Sequence, residues 1–272
     1  MFNLKIVTAI ALGIVLMPAV AHAEENEKLR CPKNDTVEII IETNIAPTEY
    51  DYTKTASEIA YMRVIDSNTP FEFSGSVFQK GGLTESIKIP QKILLGKFAA
   101  TGLYRPHFQI GYNPEYERKW LNEEQTHFCE YIKKLVISIN SKPEIFVVKE
   151  AKNINQRRCF KDILKHEEGH HIVSKQHITE YEQKFYDNFR QVIARNKTYS
   201  APLTKEEEGN FYGYMSRQLL ANMTKMVFSF HTEHNAKQDR FHASPESDAN
   251  RYCEEVDESA IKNLKNSRLF ND

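Results

Sequence analysis

An α+β fold, with a mostly antiparallel β region first and long zincin-like helices after it, is what the order of patterns along this chain predicts. Three observations lead there. Between residues 36 and 151, short β-branched runs carry partial apolar alternation. From 155 to about 195 there is no proline and Gly169 is the only glycine, which suits one long or once-broken helix. Beyond a polar loop, Thr204-Lys205-Glu206-Glu207 forms a capping box that opens a second helix, expected to run to about Arg240 before Pro245 ends it.

Taken in order, the N-terminus reads as an export signal. Lys5 precedes an apolar stretch at 6–20, interrupted by Pro18 and followed by the small-x-small site Ala21-His22-Ala23. The stretch is too short to favour a retained membrane span, and no second one follows. The expectation is an exported chain, periplasmic or secreted, starting near Glu24 and lacking an integral membrane span after processing. The remaining residues divide into a β-rich region at 24–154, one side of a cleft, and a helical region at 155–272. Together they make one catalytic unit. The 36 basic residues balance 37 acidic ones, which argues against nucleic acid or an anionic membrane as the main partner.

Strands are predicted at 37–43, 71–78 and 107–112. A further pair at 130–139 and 144–148 is separated by Asn140-Ser141-Lys142-Pro143, a hairpin-like turn. Residues 56–63 suit one or two helical turns, and 256–269 a short closing helix. Four cysteines in an exported chain point to two disulfides with three possible pairings. Cys129 and Cys159 bracket the last strand-like segment before the long helix and are paired on that ground. Cys31 and Cys253 then join the two chain ends.

The long helix contains His166-Glu167-Glu168-Gly169-His170. Positions four apart share a helix face, so both imidazoles can turn to one metal ion, here Zn²⁺, one per chain. Glu167 lies beside them, placed to take a proton from a water acidified by the ion without itself being a ligand. The flanking Ile163, Leu164, Ile172 and Val173 suit a helix packed on a core. The alternative is a solvated histidine cluster, and His171 is read as an exposed neighbour.

A catalytic zinc site needs a third protein ligand. The metzincin spacing fails: its glycine position is Val173, its third-histidine position is Gln176, and His177 falls two turns beyond His170. Donors recur at His231, His234, Asp239 and His242. His242 is favoured as the third ligand, because the helix is ending there and its ring can turn inward. Asp239 would orient an imidazole or bind directly, and His231 and His234 are candidates for stabilising an oxyanion. A strand near 130–148 is the candidate edge for pairing with extended substrate.

The ordered set of signal segment, β region, Cys129-to-Pro143 strand and turn, His-Glu-Glu-Gly-His-His at 166–171 and later Asp239-to-His242 cluster resembles a bacterial family. Its members are exported, predicted zinc-dependent peptidases of the His-Glu-x-x-His (zincin) type, described mainly as a domain of unknown function. The family's later segment, Tyr-Asp-x-x-Thr-x-His-Gly, is replaced here by Lys237-Gln238-Asp239-Arg240-Phe241-His242-Ala243-Ser244. The resemblance implies peptidase activity on a peptide or protein substrate. The competing expectation is a non-catalytic periplasmic binding or scaffold protein, whose metal ties two helices together in a closed four-ligand site.

Overall fold

Strands dominate the first half of the chain and two long helices the second, an α+β arrangement. The computed structural model describes residues 29–33, 36–56, 58–59, 62, 71–76, 84–89, 101–152 and 157–244. The signal-like segment, Cys253 and the expected closing helix at 256–269 lie outside them.

The larger sheet is built from β1 (Glu38–Ile45), β6 (Phe108–Trp120) and β7 (His127–Ser141) in the order β1-β7-β6, with β9 (Leu203–Thr204) also paired to β7. A smaller sheet joins β2 (Glu49–Asp51), β5 (Gly102–Arg105) and β8 (Glu144–Val147) in the order β2-β8-β5. β3 (Phe71–Ser76) and β4 (Thr84–Ile89) form an antiparallel pair. Most pairings are antiparallel, as expected, but β1 runs parallel to β7 and β2 parallel to β8.

The expected hairpin between 130–139 and 144–148 does not form. The turn after β7 passes the chain from one sheet to the other: β7 pairs with β6, and β8 with β5. The true hairpin partner, β6, extends well past residue 112, where Pro114 and alternating charges disguise a strand. Pro114 suits β6 because that strand ends the sheet order, where an N–H pointing away from β7 has no ladder to join. Because β7 and β8 each have neighbours on both sides, neither is an open edge for substrate.

The capping box also behaves differently from what its sequence suggests. Thr204 and Glu207 do cap reciprocally, with the Glu207 carboxylate accepting from the Thr204 N–H at 3.0 Å. What they open is a single 3₁₀ turn, Lys205–Glu207. Gly209, at φ 85°, then redirects the chain, and α2 (Asn210–His242) starts only afterwards.

Before it, α1 (Arg157–Arg195) runs unbroken for 39 residues, about 58 Å at 1.5 Å per residue. Its inward stripe of Ile178, Tyr181, Phe185, Phe189 and Val192 follows the three-and-four spacing of one helix face. That stripe packs with Leu135, Ile137 and Ile139 of β7 and with Met215, Leu219, Met223, Val227 and Phe230 of α2 to form the main core. The first turns of α1 belong to a second core: Cys159 and Ile163 pack with Ile145 and Val147 of the smaller sheet and with Val148 just after it. The histidine motif therefore falls between the two cores.

α2 returns antiparallel to α1. Successive contacts fix the register: Tyr181 with Ser229, His177 with Phe230, Ser174 with His234, and His170 with Gln238. Lys184–Glu233 and Lys237–Glu180 ion pairs bridge the outer side. Among the described residues, no helix is long and apolar enough to cross a membrane.

The disulfide expectation is corrected. Cys31 bonds to Cys129, closing a sequence separation of 98 residues. Cys159 is also disulfide-bonded, to a partner outside the described residues. Cys129 could not reach Cys159 because β7 carries it about 40 Å, at ~3.4 Å per residue, from the turn that leads to the smaller sheet.

Candidate metal centre

The helical repeat brings the His166 and His170 imidazoles off one face of α1, with their Nε2 atoms 3.1 Å apart. The antiparallel register then sets the last residue of α2, His242, beside them. One ligand atom from each of the three histidines lies within 4.8 Å of the others. Two nitrogens bound tetrahedrally to one zinc-sized ion at ~2.0–2.1 Å stand ~3.3 Å apart, close to the His166–His170 spacing, and the third imidazole lies near enough to join the pair. A cation there also meets the negative end of the α2 dipole, which favours it by about 0.3–1 kcal/mol. His170 is buried, His166 half-buried and His242 exposed, so the group opens to solvent on the His242 side.

The other donors singled out from sequence stand elsewhere. Asp239 is exposed and falls outside the group that the described residues form. His231 and His234 turn to the core rather than to an open cleft: both rings pack against Phe108 and Phe230. His234 accepts at Nε2 from Ser174 Oγ at 2.8 Å, and burial pushes its pKa down to about 3. It reaches the site through Gln238, whose Nε2 lies 2.9 Å from His234 Nε2. His177, fully buried, holds the Phe230 carbonyl at 2.9 Å and likewise takes no part in the group.

Glu167 is buried, and its carboxylate lies against the backbone of β5. A Cβ on Gly102 would stand 2.4 Å from Glu167 Oε1 and 2.7 Å from Ile163 Cγ2, so glycine at 102 is what gives this carboxylate its seat. Tyr104, two residues along the strand, lies parallel to the His170 ring at 6.4 Å between centroids. Its hydroxyl is 3.4 Å from His171 Nδ1, and Thr48 Oγ1 is 3.4 Å from His171 Nε2. His171 is thus half-buried between two hydroxyls rather than an exposed neighbour. Burial, and then the nearby Lys175, lower its pKa. Burial raises the pKa of Tyr104, whose hydroxyl stays protonated and able to donate.

Sequence reasoning missed Tyr104, Phe241 and Gln238. Tyr104 gave no signal, since only the pairing of β5 with β8 brings it to α1. Phe241 lies against both His166 and His170, with centroids 5.3 and 4.7 Å away. A signal for it existed in Gly169: a Cβ there would stand 2.3 Å from the tip of the Phe241 ring. We expect Gly169→Ala to push the end of α2 outward, at a cost of about 1–3 kcal/mol, and to weaken metal binding with it. Thermal melting and metal titration of the variant check this, and wild-type values in both would refute the packing argument.

Gln238 reaches His170 where Asp239 was expected to. Four positions before His242 it shares that residue's helix face more closely than Asp239 does, and this spacing was the available clue. Comparison of the chain with protein-family models, with curated proteins and with solved structures finds no match.

Proposed function

We propose that this chain is an exported zinc-dependent peptidase, with His166, His170 and His242 holding the ion and Glu167 serving as general base and then general acid. The observation that carries the reading is the convergence of three histidines from two helices, with a buried glutamate next to His166 in the chain. Zinc, when bound, would supply Lewis acidity, lowering the pKa of water from ~15.7 towards ~7 and polarising a carbonyl.

The rest is the work of the protein's own groups. Glu167, held between Gly102 and Ile163, accepts the proton of the attacking water and delivers it to the leaving nitrogen. Because that carboxylate is shielded from solvent, water does not compete for the proton. Tyr104, kept protonated by its burial, offers a hydroxyl on the His171 side of the site. The exposed face of His242 leaves an approach for an extended chain.

A structural metal in a scaffold protein is less well supported. Such a site is closed by four ligands, and the fourth donor suggested by sequence, Asp239, lies outside the described group.

Purified protein is expected to carry about one zinc per chain and to cleave a general peptide library, with chelation abolishing cleavage before it unfolds the chain. Absence of metal, or cleavage indifferent to chelation, rules the proposal out. Unfolding on chelation with no cleavage at any stage favours the scaffold.

A further inference from the structure

We infer that Gln238 is a positioning residue, one that fixes the His170 imidazole with its proton on Nδ1 and so presents Nε2 to the metal; this rests on the proposed zinc site. The argument begins with what a primary amide can do. It has an oxygen that only accepts and a nitrogen that only donates.

Four neighbours decide which way round the Gln238 amide lies. Its Nε2 is 3.2 Å from the His170 carbonyl oxygen, 2.9 Å from Ser174 Oγ and 2.9 Å from His234 Nε2. A backbone carbonyl cannot donate, so the nitrogen must be on that side. The oxygen then faces His170 Nδ1 at 2.5 Å, and Nδ1 must supply the proton. Imidazole protonated at Nδ1 keeps its lone pair on Nε2, the atom 3.1 Å from His166 Nε2.

The far side of the amide is fixed as well. Ser174 Oγ lies 2.8 Å from His234 Nε2, so the hydroxyl accepts from Gln238 and donates to His234. Buried and neutral, His234 has an unprotonated Nε2 to receive it. A chain of donors from His170 to Gln238 to Ser174 to His234 satisfies these contacts, with the Tyr104 hydroxyl also beside Ser174. This accounts for a buried histidine and serine that the proposed reaction does not otherwise use. It also places clamp and ligand four residues apart on one helix, so the turn that delivers His242 delivers Gln238 with it.

The test uses the full chain, with Zn²⁺ and Co²⁺ as probes. Gln238→Met keeps length but offers no acceptor, whereas Gln238→Glu keeps an acceptor facing Nδ1. Zinc affinity should fall about 10–100-fold in the methionine variant, and the Co²⁺ absorption spectrum should shift. The glutamate variant keeps the acceptor but turns an oxygen to the His170 carbonyl, so it should bind zinc more tightly than the methionine variant and less tightly than wild type, with the wild-type Co²⁺ spectrum. In metal-free wild-type protein, long-range ¹⁵N–¹H NMR should find His170 protonated at Nδ1.

A merely structural tie between helices would move melting temperature but neither tautomer nor cobalt spectrum. Methionine-variant affinity equal to wild type, or a metal-free His170 protonated at Nε2, overturns the inference. If the methionine variant does not fold, the wild-type tautomer and the glutamate rescue decide the matter. If wild-type protein fails to bind zinc at all, the proposed zinc site falls, and the tautomer measurement still decides whether Gln238 sets the His170 proton.

Discussion

Replacing Glu167 by Gln is expected to cut peptide hydrolysis by about 10²–10⁴-fold while leaving the metal content of the protein unchanged. The substitution is nearly isosteric, so the side chain keeps its place against Gly102 and Ile163. An amide oxygen still accepts a hydrogen bond but cannot take a proton from water at neutral pH. Glu167 is not one of the three clustered donors, so the ion has no reason to leave. Turnover of a library-derived peptide and metal analysis on the same preparation check both halves. Activity within tenfold of wild type would remove the general-base role, and loss of metal would make Glu167 a ligand instead.

The second large effect is acid sensitivity of the fold. Burial lowers the pKa of His177 to about 4, where an exposed histidine titrates near 6.5. Burial likewise lowers His231 to about 4 and His234 to about 3, with neighbouring histidines adding to the shift. A folded-state pKa below the unfolded value means that the unfolded chain binds more protons in between. Stability is then complete above pH 6.5 and is lost as pH falls towards 4.

Between pH 7 and 5, His177, His231 and His234 should each contribute a loss of about 2 kcal/mol. Against a typical stability of ~5–15 kcal/mol that is a large fraction. The carboxylates of Glu180 and Glu233, held low by hydrogen bonds from Lys237 and Lys184, lose their share only at more acid pH, whereas His171, lowered by burial, adds to the loss and Glu130, raised by burial, opposes it. Urea unfolding of chelated protein at the two pH values measures the loss, and His177→Gln should shrink it by roughly a third. A midpoint that does not move between pH 7 and 5 would show that these rings are not held neutral by the fold.

How much of this was legible in the sequence depends on the length scale of the interaction. His166 and His170 are local, because helical spacing alone aligns them. His242 was reachable because a helix end and a histidine coincide there, and the structure does bring it to the other two. The choice between Gln238 and Asp239 turned on one residue of helical phase, about 100°, which only the packing of α1 against α2 decides. Cysteine pairing failed for a different reason. It depends on where strands lie in a sheet, and the turn at 140–143 looks the same whether the chain folds back on itself or crosses to another sheet. The full length of β6 was hidden because Pro114 counts against a strand until its place at the end of the sheet order is known.

The seam position of the motif separates two tasks within one molecule. The larger core orders the imidazoles, since α2 and the body of α1 belong to it. The smaller core seats Glu167, the proposed acid–base group, since Gly102 of β5 leaves room for it beside Ile163. Strand β5 reaches both sets, because Gly102 lies against Glu167 and Tyr104 stacks on His170. Neither half carries a complete centre by itself, so the chemistry exists only where the two meet.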